Sequence, residues 1–114
     1  MVATRPRQHP DPHRHLPRWR PAQLGALAAC AALTAAGRPV PGIVRGDWTP
    51  ASGYAGGRAL AADTDVTAVF AANDQMALGV LSAFHQHQVA IPGEKSVVGY
   101  DGTYESSFFH PALT

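Results

Sequence analysis

Two stretches in the last third of this 114-residue chain are built on the same plan. Val66–Phe70 is a short apolar run that is soon followed by Asn73 and Asp74, and Ser96–Tyr100 is a second such run that leads into Asp101. In open α/β sheets, ligands bind at the carboxyl ends of the strands. We therefore expect the functional residues of this chain at the ends of these two segments.

The residues between the two runs have the spacing of an amphipathic helix. From Asp74 to about His87, apolar side chains recur on one face, and a proline-glycine pair follows before Val97–Tyr100 resumes as a strand. Asn73 or Asp74 is placed to cap this helix, because a short side-chain oxygen accepts from the free N–H groups of a first turn. Parallel strands joined by a helix cross over right-handed, so Asn73 and Asp101 should face one crevice.

Two further helices are predicted upstream. Pro21–Ala36 is rich in alanine and is followed by Gly37, as at a helix C-cap. Thr49 followed by Pro50 is typical of an N-cap with proline at the first helical position. The composition from Ala51 to about Ala62 then permits a helix.

One more strand completes the predicted order. Pro39–Arg45 is a weaker strand candidate that ends shortly before Trp48. The order helix, strand, helix, strand, helix, strand predicts an α/β fold with a partial doubly wound parallel sheet. The three strand ends would then bring Trp48, Asn73 and Asp101 together.

Several stretches of the sequence resemble the sugar-binding core of transcriptional regulators of the lactose-repressor and galactose-repressor type. They are Gly46–Tyr54, Thr67–Gly79, Ser96–Asp101 and His110–Thr114, and they occur in the family's order. The resemblance runs from about Ala31 to the end. It implies a periplasmic-binding-protein-like subdomain of a bacterial repressor, whose effector pocket lies between two such subdomains and whose affinity for DNA changes when a small sugar binds.

The resemblance also implies ligand-binding residues. By their positions in the motifs, Asn73 and Asp101 would contact sugar hydroxyls and Trp48 would pack on the sugar ring, for which an amide, a carboxylate and an indole face are suited. Asp47 and Asp74 are secondary candidates. Structural roles stay open for all five: Asn73 as a helix cap, Asp101 as a turn residue, Trp48 as a packing residue, and the other two as negative charges beside helix starts.

Compared with the family, the chain is expected to be a fragment with two parts. Residues 1–20 are predicted to be a disordered basic tail rich in Arg, Pro and His and outside the family sequence, and residues 21–114 a partial sugar-binding subdomain. No helix-turn-helix, hinge helix or first subdomain is recognisable, and Gly102 stands where the family usually has a second acidic residue. DNA would be contacted only through the missing amino-terminal domain of the parent, which the family implies is a homodimer.

The amino terminus leaves three interpretations open. A basic tail would contact DNA phosphates, although no helix-turn-helix pattern accompanies it. The arginine-rich start and Leu27–Cys30 have the form of a lipoprotein cleavage box, which would make the protein an exported solute-binding lipoprotein of an uptake system. The third interpretation, which we favour, is a wrong start site or reading frame before about Cys30, where the resemblance stops. A non-functional truncated fragment is a further alternative.

Composition and spacing argue against other classes of protein. The formal net charge is +1, no run reaches the length of a membrane span, and Cys30 is the only cysteine. Neither a strained serine turn nor a glycine-rich phosphate loop is recognisable, and no histidine group has the spacing of a metal site. We therefore expect a cytoplasmic, effector-binding protein without enzyme activity, cofactor, metal or membrane partner.

Overall fold

The computed structural model describes residues 1–4, 24–39 and 43–113, in which short strands alternate with helices. In chain order these are β1 (Val2–Thr4), α1 (Leu24–Ala35), α2 (Pro50–Ala62), β2 (Ala68–Phe70), α3 (Asp74–Gln86), β3 (Ser96–Val98) and a 3₁₀ helix (Tyr104–Phe108). None of the described helices is long and apolar enough to cross a membrane.

Side-chain caps begin α2 and α3 at the predicted places. The Thr49 hydroxyl accepts a hydrogen bond from the Ser52 N–H at 3.1 Å, and Pro50 occupies the first helical position. The Asn73 Oδ1 accepts from the Met76 N–H at 2.9 Å. Each cap pairs one of the N–H groups that a first helical turn leaves without a backbone partner, which fixes where the helix starts.

The end of α1 is also as predicted. Gly37 has a φ of +68°, a left-handed conformation that costs glycine little. Its N–H donates to the Thr34 carbonyl at 3.0 Å, and the Arg38 N–H donates to the Leu33 carbonyl at 2.8 Å. These two bonds form the Schellman motif and satisfy carbonyls of the last turn.

The predicted strand–helix–strand unit is confirmed. β2 and β3 pair in parallel, with Ala68 opposite Ser96, and α3 connects them. Both strands are shorter than the apolar runs that predicted them. The carboxyl ends of the two strands lie side by side, and the residues that follow them form the edge discussed below.

The third strand of the described sheet is not the predicted one. Within Pro39–Arg45 the described residues form only an isolated bridge at Ile43. β1 pairs with β2 instead, antiparallel, so the strand order β1-β2-β3 is mixed. Met1 in turn exchanges two backbone hydrogen bonds with Val44, at 2.6 and 2.9 Å. β1 thus supplies the third strand of the described sheet.

The first four residues therefore depart from the expected disordered tail. Met1 is 3 % exposed and belongs to the core. None of the four residues has a charged side chain, and the arginines begin only at Arg5; Met1 is buried and Val2–Thr4 pair with β2. The rest of the predicted tail, residues 5–20, lies outside the described residues.

Two groups of buried residues pack around the sheet. Val69 belongs to the larger cluster, and Phe70 packs against both that cluster and Cys30 of α1. The buried members of the larger cluster are Met1, Leu60, Val66, Val69, Ala71, Ala72, Met76, Ala77, Val80 and Phe84.

Glycines allow α2 and α3 to pack closely. A Cβ on Gly79 would overlap the Pro50 carbonyl oxygen and the Tyr54 nitrogen, and a Cβ on Gly53 would overlap the backbone of Met76. The atoms in the way belong to the backbone, which cannot turn aside as a flexible side chain can. The absence of side chains at these positions therefore sets the distance between the two helices.

We expect the substitution Gly79→Ala to destabilise the fold, although alanine is the better helix former by about 1 kcal/mol. The overlap with the α2 backbone should lower the free energy of unfolding by about 2 kcal/mol or more, as measured by urea denaturation. Gly93→Ala is the matched control, because a Cβ there meets only the Ala90 Cβ at 3.5 Å. Equal stabilities of the two variants would contradict this account of the helix packing.

Candidate functional site

The Asn73 side chain links the start of α3 to the segment before α2. Its Oδ1 accepts from the Met76 N–H at 2.9 Å, and its Nδ2 donates to the Trp48 carbonyl oxygen at 3.1 Å. The cap predicted from the sequence is therefore present, and the same amide also holds the backbone of another predicted site residue. Trp48 and Asn73 lie together, as expected.

Trp48 has an unusual backbone and an accessible side chain. Its φ is +75°, in the left-handed region that residues other than glycine rarely adopt. The residue is 40 % exposed, and it does not belong to either buried cluster. The structure therefore places the indole at the surface rather than in the core against α2.

Asp47 stabilises the same turn. Its Oδ1 accepts from the N–H of Thr49 at 3.1 Å and also from the Thr49 hydroxyl, and its own N–H donates to the Ser52 Oγ at 3.1 Å. Hydrogen bonds from Thr49 and then Ser52 hold the pKa of the Asp47 carboxyl below its ordinary value. The carboxylate is exposed, but the contacts it makes within the described residues are those of a turn that leads into a helix.

Asp74 is buried and binds the loop that follows β3. The residue is 1 % exposed. Its Oδ1 accepts from the N–H groups of Tyr100 and Asp101 at 2.9 and 3.2 Å, and its Oδ2 accepts from the Thr103 N–H at 2.9 Å. The Thr103 hydroxyl adds a contact to Oδ2 at 3.4 Å. One carboxylate thus binds three residues of this loop, Tyr100, Asp101 and Thr103, to the start of α3.

The hydrogen bonds of Asp74 outweigh the effect of its burial on the pKa. Burial alone would raise the pKa, because it disfavours the charged form. The backbone N–H groups of Thr103, Tyr100 and Asp101 favour the carboxylate, and the pKa lies below its ordinary value. Asp74 is therefore ionised in the folded protein at neutral pH.

Asp101 lies on the loop that Asp74 holds. Its Oδ2 accepts from the Asp74 N–H at 3.4 Å, while its own N–H donates to the Asp74 carboxylate, so the two residues are joined reciprocally. Asp101 is exposed, and its Oδ1 makes no hydrogen bond to the described part of the chain. Gly102 follows with a φ of +64°, a conformation that suits glycine at this turn.

The aromatic side chain of Tyr100, on this loop, is accessible. Its ring meets the Phe70 ring edge-on with centroids 6.4 Å apart, yet Tyr100 is 64 % exposed. Sequence reasoning missed Thr103, which supplies two of the donors to Asp74. Its only signal in the sequence was its position two residues after Asp101, which no motif distinguishes.

The fold is that of a periplasmic-binding-protein-like domain. Residues 17–114 match the family described as periplasmic binding protein-like domain, and the chain belongs to that family. The matched segment begins before Ala31, where the resemblance read from the motifs begins. Among the described residues, no group of three or more His, Cys, Asp or Glu side chains could hold a metal ion.

Particular relatives are bacterial repressors. Over 73 residues the chain is 41 % identical to the HTH-type transcriptional repressor PurR of Pasteurella multocida strain Pm70. The aligned segment covers 63 % of this chain and 22 % of that repressor. The chain therefore spans less than a quarter of that relative. These homologues are transcriptional repressors rather than enzymes.

Solved structures give the same result. The Escherichia coli transcriptional repressor ascG superposes with a TM-score of 0.67 at 38 % identity, covering 73 % of this chain and 31 % of that one. A LacI family transcriptional regulator from Lactobacillus casei with bound glucose has a TM-score of 0.73 at 26 % identity, covering 84 % and 37 %. The chain is thus homologous to part of the effector-binding domain of LacI-type repressors, which confirms the family expected from the motifs.

We predict that Asp74→Asn destabilises the protein by about 1–3 kcal/mol at neutral pH. The amide presents an NH₂ group where the carboxylate accepts, so at least one backbone N–H of the loop loses its partner. Urea unfolding of both proteins measures the difference. Asp47→Asn, which removes an exposed carboxylate, is the matched control and should change the free energy of unfolding far less.

The contribution of Asp74 should also depend on pH in a defined direction. Its folded pKa lies below the unfolded value of about 3.9, so the stabilisation is complete above that value and is lost as the pH falls through the folded pKa. The stability gap between wild type and Asp74→Asn should therefore shrink when unfolding is repeated at about pH 3. A gap that stays constant or widens in acid would show that the carboxylate is not the stabilising group.

Proposed function

We propose that this chain supplies one wall of the sugar-effector pocket of a LacI-type transcriptional repressor, formed by Trp48, Asn73 and Asp101. One observation carries the proposal. The turn at Trp48 and the loop at Asp101 are hydrogen-bonded to Asn73 and Asp74, which are adjacent at the start of α3. Two segments distant in sequence therefore meet at the edge where this fold binds ligands.

The side chains at this edge suit a neutral sugar. Asp101 has an accessible carboxylate whose second oxygen is oriented by the Asp74 N–H, and a carboxylate accepts hydrogen bonds from hydroxyl groups. The exposed indole of Trp48 offers an apolar face for the C–H side of a sugar ring. Asp74 and Asp47 act as supports in this proposal, since their carboxylates bind the loop and the turn.

The ligands bound in related structures support a sugar as the effector. The Lactobacillus casei regulator was solved with bound glucose and also with sucrose. Because the present chain covers about a third of that protein, the identity of its own effector is part of the proposal. Glucose is therefore the probe of choice, rather than an established ligand.

The mechanism follows from differential binding. In the intact repressor, a sugar bridging this wall and the second subdomain favours one relative orientation of the two, and that bias is transmitted to the DNA-binding domains of a homodimer. This chain contributes ligand contacts, and DNA is bound by another part of the parent. The homologues act on DNA, so the proposed location is the cytoplasm and the proposed activity is binding, without catalysis or a cofactor.

We expect glucose to perturb this wall selectively. In ¹⁵N-labelled chain titrated with glucose, the Trp48 indole N–H and the backbone N–H of Asp101 should shift together, while core amides such as that of Val80 stay in place. Glycerol at the same concentrations is the control for non-specific effects of hydroxyl compounds. Shifts spread evenly over the surface, or equal shifts with glycerol, would overturn the proposed sugar site.

Asp101→Asn should weaken effector binding in the intact repressor without changing its intrinsic affinity for the operator. The substitution removes a charged acceptor, for which a loss of about 1.5 kcal/mol, or roughly tenfold in affinity, is expected. Effector titrations and operator binding measured side by side test this. Glu105→Gln, the same loss of charge at an exposed position of the 3₁₀ helix, is the control and should leave both affinities unchanged.

A further inference from the structure

Asp101 and Gly102 form the only pair in this chain in which glycine follows an aspartate or an asparagine. In such a pair the backbone nitrogen of the glycine can attack the side-chain carboxyl of the residue before it, because no Cβ on the glycine hinders the approach. Gly102 stands where the family usually has a second acidic residue. The pair is therefore a feature of this chain rather than of the family it resembles.

The backbone nitrogen of Gly102 is not engaged in a hydrogen bond. Asp74 accepts from the N–H groups of Tyr100, Asp101 and Thr103. It does not accept from the Gly102 N–H, which lies between them and has no hydrogen-bond partner in the described part of the chain. This nitrogen can therefore give up its hydrogen without breaking a bond on which the loop depends.

The surroundings of the pair are open. Asp101 and Gly102 are both exposed, and a Cβ on Gly102 would meet nothing within 4 Å. Within the described residues, the Asp101 carboxylate accepts one hydrogen bond, from the Asp74 N–H at 3.4 Å, which is long and hence weak. Neither burial nor a strong side-chain contact keeps this carboxyl from turning towards the Gly102 nitrogen.

We propose that Asp101 and Gly102 form a site of succinimide formation in the folded protein, through which Asp101 is converted to isoaspartate. The Gly102 nitrogen bonds to Cγ of the protonated Asp101 carboxyl, and the carboxyl hydroxyl leaves as water with the hydrogen of that nitrogen. Water then opens the ring by breaking one of its two bonds to nitrogen. Opening at Cγ restores aspartate, and opening at the backbone carbonyl leaves a chain that runs through Cγ and a free α-carboxylate. Water is the only other reactant.

Isoaspartate would disturb the loop that Asp74 holds. It adds one carbon to the backbone between Asp101 and Gly102, while Asp74 binds N–H groups on both sides of that point. The hydrogen bonds from Asp101 and from Thr103 therefore cannot both keep their present geometry. The modification goes beyond the proposed function and needs no effector. Only its consequence for the sugar pocket, a displaced carboxylate, rests on that function.

The test follows isoaspartate in the full chain, kept folded at neutral pH and physiological temperature and digested with trypsin at intervals. Cleavage after Lys95 releases Ser96–Thr114, in which Asp101 is the only aspartate and no asparagine occurs. Electron-transfer fragmentation identifies isoaspartate at position 101. Methyl transfer from S-adenosylmethionine by an isoaspartyl methyltransferase measures its amount. Samples digested at time zero correct for isoaspartate formed during digestion.

A synthetic peptide of the same sequence gives the rate without the fold. We expect the folded chain to react within about tenfold of the peptide, whereas reaction through the unfolded fraction alone would be about a thousandfold slower or more. A rate below the expected range would show that the bonds to Asp74 hold the reacting atoms apart, and it would overturn the proposal.

Two variants test the chemistry. Asp101→Glu keeps a carboxyl beside Gly102 but requires a larger ring that closes far more slowly, so this peptide should acquire no methyl label. Gly102→Asn places a side chain beside the attacking nitrogen, and asparagine tolerates the φ of +64° better than most residues. Compared with the peptide that carries the same substitution, conversion at position 101 should still track the peptide, and in both it should be several-fold slower than with Gly102. Label that persists in Asp101→Glu, or an unchanged rate in Gly102→Asn, would overturn the proposed site.

Discussion

The buried carboxylate of Asp74 is the interaction on which the arrangement of the site depends. An ion removed from water is tolerated only when hydrogen bonds replace its hydration, and here the backbone N–H groups of Tyr100, Asp101 and Thr103 do so. Those donors all belong to one loop. If the loop after β3 moved away from the start of α3, the buried Asp74 carboxylate and the loop N–H groups would lose their hydrogen-bond partners.

Close packing of α2 against α3 determines where the second half of the site lies. Trp48 stands just before α2, so the position of its turn relative to Asn73 depends on how near the two helices approach. Gly53 and Gly79 permit that approach because no Cβ lies between the helix backbones. The hydrogen bond from Asn73 to the Trp48 carbonyl is thus a consequence of helix packing as well as of the amide itself.

Local features of the sequence predicted most of what is local in the structure. The caps at Thr49 and Asn73 and the left-handed end of α1 at Gly37 each depend on residues within one turn of a helix. β1 could not be predicted in this way, because its pairing with β2 joins residues far apart and its three residues carry no strand pattern of their own. The role of Asp74 was hidden for the same reason. A charge beside a helix start indicated only the helix dipole, whereas its partners lie more than 25 residues further along.

Gly102 connects the shape of this loop with its charge. The φ of +64° is readily adopted by glycine, so the turn after Asp101 forms without the second acidic side chain that the resemblance led us to expect. The loop consequently presents one exposed carboxylate, since that of Asp74 is buried and bonded to backbone. In the proposed site, the Asp101 carboxylate, with one oxygen bonded to the Asp74 N–H, would accept hydrogen bonds from the hydroxyl groups of a neutral ligand. In the proposed site, specificity for one sugar over another would then depend on the wall opposite this one, where the second subdomain of the repressor meets the ligand.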